Sequence, residues 1–115
     1  VVIHGDCSST PTVITGDNLN DMDYLLKYGG TYCQQNEIKN IEKAKSDIDK
    51  VINSMEEGGG TALGPALCVS LGLCARSPKS ELIVCTDGVA NIGLGSLEDG
   101  ETPQTQNFYQ KIGEL

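Results

Sequence analysis

The sequence predicts an α/β fold, with a mostly parallel sheet and helices layered against it. Three observations carry that expectation. The apolar run Leu82-Ile83-Val84-Cys85 has the composition of a strand buried on both faces, and it leads into Thr86-Asp87-Gly88. Residues 62–75 read as a helix that is apolar almost all round, and such a helix has to be enclosed. Residues 37–56 repeat apolar positions at helical intervals and carry charge on the other side. Helices alternating with a fully apolar strand belong to α/β layering, in which ligands bind beyond the carboxyl ends of the strands.

Each element can be justified in chain order. Residues 1–4 and 12–15 are short β-branched runs separated by "GDCSSTP", which predicts a hairpin. "LNDMDYLLKYGG" predicts one or two helical turns that stop at Gly29-Gly30. "TYCQQN" reads as polar connection. In the helix over 37–56, Ile38, Ile41, Ile48, Ile52 and Met55 share one side, with Ala44 and Val51 close by. Lys39, Glu42, Lys43, Asp47, Asp49 and Lys50 form the solvated face, and the glycines at 58–60 end the helix. Small residues at Ala62, Gly64, Ala66, Ser70 and Gly72 suit the next helix to close packing against a sheet. Pro65 must lie in its first turn, because deeper inside it would remove a backbone bond and clash. Residues 81–86 are the buried strand. Thr102-Pro103 then reads as an N-cap and first helical position, followed by Phe108, Ile112 and Leu115 at helical spacing.

Composition narrows the function classes. The 115 residues fit one small domain, and 4% aromatic content leaves the core to aliphatic side chains. A net charge of −8 disfavours nucleic acid and anionic membranes as partners, and it is equally the charge of an ordinary acidic surface. No run approaches the roughly 18 apolar residues of a membrane span, so no membrane insertion is expected. The opening "VVIH" and closing "KIGEL" both look cut, which predicts a single partial domain over 1–115 that belongs to a larger polypeptide. Five cysteines at irregular spacing, with no Cys-x-x-Cys, predict neither a disulfide framework nor a zinc cluster. Cys68, Cys74 and Cys85 lie among apolar residues, where reduced thiols act as small hydrophobes, so an intracellular, cytoplasmic setting is expected.

Two segments are expected to meet at the sheet's edge. "GGGTALGPAL" places Thr61 at the start of the buried helix, and "CTDG" places Asp87 at the end of the strand. Thr61 offers a hydroxyl that can cap the helix or join Asp87 as a hard oxygen ligand, suited to Mg²⁺, Mn²⁺ or Ca²⁺. A phosphate at the helix start, held by backbone N–H groups, is a further reading, opposed by the charge of Asp87. Enzyme readings fail on residue identity. The glycine run lacks the lysine of a phosphate-binding loop, and no Gly-x-Ser-x-Gly elbow is present. His4 is the sole histidine and reads as structural, and Cys85 as an inert core thiol.

"GGGTALGPALCVSLGL" followed by "ELIVCTDGVANIGLG" resembles the central part of a von Willebrand factor type A domain. The wording is closest to intracellular members, including those related to the coat-protein trunk domain and to circularly permuted Ras proteins. The resemblance implies a Rossmann-like three-layer sandwich, incomplete at both ends. It also implies a metal-ion-dependent adhesion site at which Thr61 and Asp87 help hold Mg²⁺, and a protein ligand that presents an acidic side chain. Gly60, Gly88 and Asn91 would form the partner-binding rim. The family's Asp-x-Ser-x-Ser motif has a near match in "DCSST", which makes Asp6 and Ser8 additional candidates; read from the residues, the same stretch is a hairpin loop. The resemblance therefore implies a cation-dependent protein-binding module and not an enzyme. A degenerate metal-free scaffold and a phosphate- or nucleotide-binding α/β fragment are the alternatives.

Overall fold

In a computed structural model, which describes residues 1–4, 11–36, 39–56 and 58–115, the first long helix starts on a carboxylate. The side chain of Asp21 accepts from the Tyr24 N–H at 2.9 Å and satisfies one of the donors that a helix start leaves free. This helix, α1 (Met22–Gln35), follows a hairpin of β1 (Val2–Ile3) and β2 (Thr12–Val13) and a short 3-10 helix (Gly16–Asn20). It does not stop at Gly29-Gly30 as expected. Glycine inside a helix costs roughly 1 kcal/mol relative to alanine, but here closer packing offsets that cost. A Cβ on Gly29 would strike the carbonyl of Val69, and one on Gly72 would strike the carbonyl of Leu26. The two glycines thus let α1 and α3 (Leu63–Cys74) meet backbone to backbone, in the largest contact between elements.

The core forms around that contact. Ile14, Leu25, Cys68, Val69 and Phe108 make one buried cluster, with Ile3, Leu19, Leu26 and Leu94 packed against it. Gly64 and Pro65 of α3 are buried, and Pro65 sits in the first turn where its missing N–H does no harm. At the far end, the Thr102 hydroxyl accepts from the Thr105 N–H at 3.2 Å and Pro103 opens α4 (Pro103–Glu114), as the sequence predicts. Phe108 anchors α4 in the core, and the Tyr109 hydroxyl donates to the Gly95 carbonyl at 3.0 Å.

Helix α2 (Ile41–Ser54) is capped by Asn40, which accepts from the Glu42 N–H at 3.0 Å. The helix is shorter than the expected 37–56, and of its expected apolar stripe Ile38 lies outside the described residues; Ile41, Ile52 and Met55 are exposed, Ile48 and Val51 half-buried, and Ala44 alone is buried. On its charged side Asp47 lies 3.1 Å from Lys39 and 3.6 Å from Lys50. The hydrogen bond from Lys39 holds the Asp47 carboxyl below the usual aspartate range.

The parallel sheet is not there. Among the described residues the one sheet is the antiparallel pair β1–β2, in which Val2 opposes Val13 and Ile3 opposes Thr12. Residues 81–86 form no strand, and Ile83, expected at the centre of a core, is 85% exposed. The four helices and this small hairpin overturn the expected three-layer α/β sandwich. The reason is the backbone. A strand buried on both faces needs a neighbour on each side to take its N–H and C=O groups. The two-residue strands of the hairpin pair only with each other.

The thiols follow the same division. Cys68 is buried and Cys74 half-buried, while Cys33 and Cys85 are exposed, so Cys85 is not the core thiol its apolar neighbours predict. Burial pushes the Cys68 thiol up to about 11. Maleimide at neutral pH should label Cys33 and Cys85 within minutes and Cys68 only after unfolding, as mass spectrometry of timed samples would show. Because the folded state raises this pKa, its effect on stability is absent below the unfolded value. From about pH 9 to 11 ionisation of the unfolded chain should cost about 2–3 kcal/mol of stability. No helix among the described residues is long and apolar enough to cross a membrane.

Candidate functional site at the start of helix α3

The start of α3 is built by two loops that hold each other. Thr61 does not cap the helix. Ala62 occupies that position and has no side chain to offer, so the amides of Leu63 and Gly64 meet no capping oxygen. Thr61 is instead tied to the loop that follows residues 81–86. Its N–H donates to Asn91 Oδ1 at 2.6 Å. Its carbonyl accepts from the N–H groups of Asn91 at 2.9 Å and Ile92 at 3.2 Å. Three hydrogen bonds across thirty positions of sequence clamp the two loops together.

Glycines make the clamp possible. A Cβ on Gly60 would lie 2.6 Å from Asn91 Oδ1 and would run into the Ile92 side chain. A Cβ on Gly88 would lie 2.9 Å from the Thr61 hydroxyl oxygen. The second loop is itself fixed from behind. The Leu94 N–H donates to the Leu19 carbonyl at 3.0 Å, and the Leu97 N–H to the Ala90 carbonyl at 2.7 Å. Gly93, at φ +73°, passes where a side chain would strike Leu19 and Pro65.

Of the residues the sequence selects, the structure brings Gly60, Thr61, Gly88 and Asn91 together, with Asp87 next in the chain to Gly88. Asp87 is exposed and bonds to no described residue. Asp6 and Ser8 lie outside the described residues. Sequence reasoning gave Asn91 a place on a rim, whereas its side chain and amide form the clamp itself. It passed over Ile92 and Leu94 altogether. The signal available for them was the apolar spacing within "NIGLG", which a glycine-rich loop disguises.

The site can offer a hydroxyl, a carboxylate and a row of backbone amides. Neither loop, over 58–64 or 86–95, contains lysine or arginine. Among the described residues no three His, Cys, Asp or Glu side chains are grouped to hold a metal ion. This overturns the expected adhesion site. Mg²⁺ takes about six oxygens in a near-octahedral shell, and Thr61 with Asp87 would leave most of that shell empty.

No protein-family model matches the chain. No solved structure matches it either. The chain is similar to "Circularly permutated Ras protein 1" of Dictyostelium discoideum, with 38% identity over 105 residues. That alignment takes in 91% of this chain and 12% of the relative. The resemblance to a von Willebrand A domain is therefore corrected on two grounds: the architecture is helical, and the relative is by name a Ras protein. The chain is like one short stretch of a much longer Ras-related protein.

Proposed function

We propose that the chain is a phosphate-facing segment of a larger nucleotide-binding protein, and that the start of α3 is where the phosphate sits. The observation that carries this reading is the uncapped helix start beside an exposed glycine loop and the clamped Thr61. Free N–H groups and the positive end of the helix dipole favour an anion there. Likeness to a Ras-related protein supports the nucleotide class over an adhesion module.

Asp87 would repel a bare phosphate. A divalent cation between them removes the conflict, and the phosphate in turn supplies oxygens that the protein lacks. Mg²⁺ is commonly held in this way, by one or two protein groups together with substrate phosphates. The Thr61 hydroxyl would be its direct ligand, and Asp87 would hold it through water. When bound, the ion neutralises phosphate charge; the chain's own residues position the group. With no lysine or arginine in either loop, this segment binds without turnover.

The rest of the larger polypeptide is the partner this reading requires. Ile83, Val84, Val89 and the stripe of α2 are apolar surfaces that a complete protein would cover. An intracellular setting accompanies the reading.

The test is amide chemical shifts of the chain titrated with inorganic pyrophosphate, with and without Mg²⁺. Saturable shifts are expected at Gly58, Gly59, Leu63 and Gly64, larger with Mg²⁺. Asp87→Asn and Thr61→Val should abolish the Mg²⁺-dependent part. Shifts that ignore Mg²⁺, or that avoid the start of α3, would reject the proposal.

A further inference from the structure

A cavity at the other end of α3 has a charge unlike the rest of the molecule. It measures about 630 Å³, within the usual size of a small-molecule site. Leu26, Leu71, Cys74 and Leu115 give it an apolar wall. Lys27, Arg76 and Lys79 also line it, and no aspartate or glutamate does. Three of the chain's eight basic residues thus share one cavity in a protein of net charge −8.

An ordinary explanation has to be weighed first. Cations at a helix end complement the dipole, and Arg76 follows the C-cap of α3 directly, with Lys79 in the turn beyond it. That end carries only about half a negative charge, and Lys27 belongs to α1. Among the described residues no ion pair engages Lys27, Arg76 or Lys79. Among the described residues no hydroxyl of the lining is hydrogen-bonded to the three cations either. Ser80 Oγ donates to the Ser77 carbonyl at 2.7 Å, and Thr31 Oγ1 donates to the Lys27 carbonyl at 3.0 Å. Positive charge is left over.

The loop that presents it is shaped at a cost. Residues 77–80 form a turn closed by the Ser80 N–H on the Ser77 carbonyl, with Pro78 leading and Lys79 at φ +66°. Glycine is the favoured residue at that position of such a turn, and lysine there bears about 1 kcal/mol of strain.

We infer that the cavity between α1 and the end of α3 binds a small phosphorylated ligand with an apolar body. The phosphate is held by Lys27, Arg76 and Lys79, and the apolar part lies against Leu26 and Leu71. Phosphate is favoured over a single carboxylate because three cations match a dianion, and the arginine fork suits its oxygens. This site is independent of the one at the start of α3, and the two are read at different amides.

The test titrates the chain with phenyl phosphate and follows amide shifts. Saturable changes are expected over residues 26–31 and 71–80, about tenfold weaker for inorganic phosphate and absent for benzyl alcohol. The double variant Arg76→Gln/Lys79→Gln changes exposed side chains and should fold with an unchanged Tm. Its affinity for phenyl phosphate should fall by about tenfold or more. Vesicles of phosphatidylcholine with and without phosphatidic acid separate a lipid source from a soluble one. Selective retention on phosphatidic acid, lost in the double variant, makes the ligand a lipid; no retention beside binding of phenyl phosphate makes it a soluble phosphoester. Unchanged affinity in the double variant, or no saturable shift at these residues in the folded chain, would overturn the inference.

Discussion

Gly29→Ala should destabilise the chain by about 3 kcal/mol or more, the upper range for forcing atoms into a packed interior. The added Cβ would meet the carbonyl of Val69, a backbone atom within α3 that cannot swing aside as a side-chain tip would. One helix must shift, and the contact between α1 and α3 that surrounds Leu25 and Cys68 would open. Thermal unfolding followed by circular dichroism should show a fall of about 10 °C or more for a domain of this size. The neighbouring residue supplies the control. A Cβ on Gly30 would come no nearer than 3.7 Å, to the Gly72 carbonyl, which is an ordinary contact. Gly30→Ala should therefore be neutral or stabilising by up to about 1 kcal/mol, since alanine is the better helix former. Equal effects at the two positions would mean that the helices do not cross at Gly29.

Phe108→Ala is expected to cost about 3–5 kcal/mol, the range for emptying a buried aromatic site. Its ring is 6% exposed and packs edge-on against Tyr109, with centroids 5.1 Å apart. The ring also fills the space left by Gly64 in α3 and Gly95 in the following loop. It therefore joins three segments that hold the candidate site. Its loss should loosen the loop carrying Asn91 and release the Thr61 clamp. Hydrogen exchange at the Thr61, Asn91 and Ile92 amides should accelerate more than exchange in the middle of α1. Phe108→Leu keeps most of the volume and should lose roughly 1.5 kcal/mol or less. If exchange at those three amides were unchanged in a destabilised Phe108→Ala chain, α4 would not support the site.

The amide exchange and melting experiments probe features of different legibility. The start of α4 was readable because a cap is a local device: Thr102-Pro103 acts through atoms only a few positions apart. The other starts were not, since α2 opens on Asn40 and not at residue 37, and Ala62 takes the position expected of Thr61. The buried character of α3 was also readable, since an all-apolar helix has no solvent face to offer. Gly29-Gly30 was misread because a glycine pair that ends a helix and one that admits a second backbone look the same in sequence. Only the carbonyl of Val69, against which Gly29 packs, distinguishes them.

The candidate site divides in the same way. Thr61 and Asp87 stood out by residue type, and their loops do come together, but the bonds that join them run through Asn91 and Ile92. Residues 81–86 show the limit most plainly. Their composition determined that they are apolar and β-prone, and nothing in that composition supplies the neighbours a strand requires. The sequence by itself determined the cap of α4, periodicity, charge and the oxygen chemistry of Thr61 and Asp87, because these depend on residues close in the chain. The tertiary structure alone decided which glycines are contacts, which apolar run stays uncovered, and that three cations gather around one cavity. Those outcomes depend on atoms far apart in sequence, whose proximity no local pattern encodes.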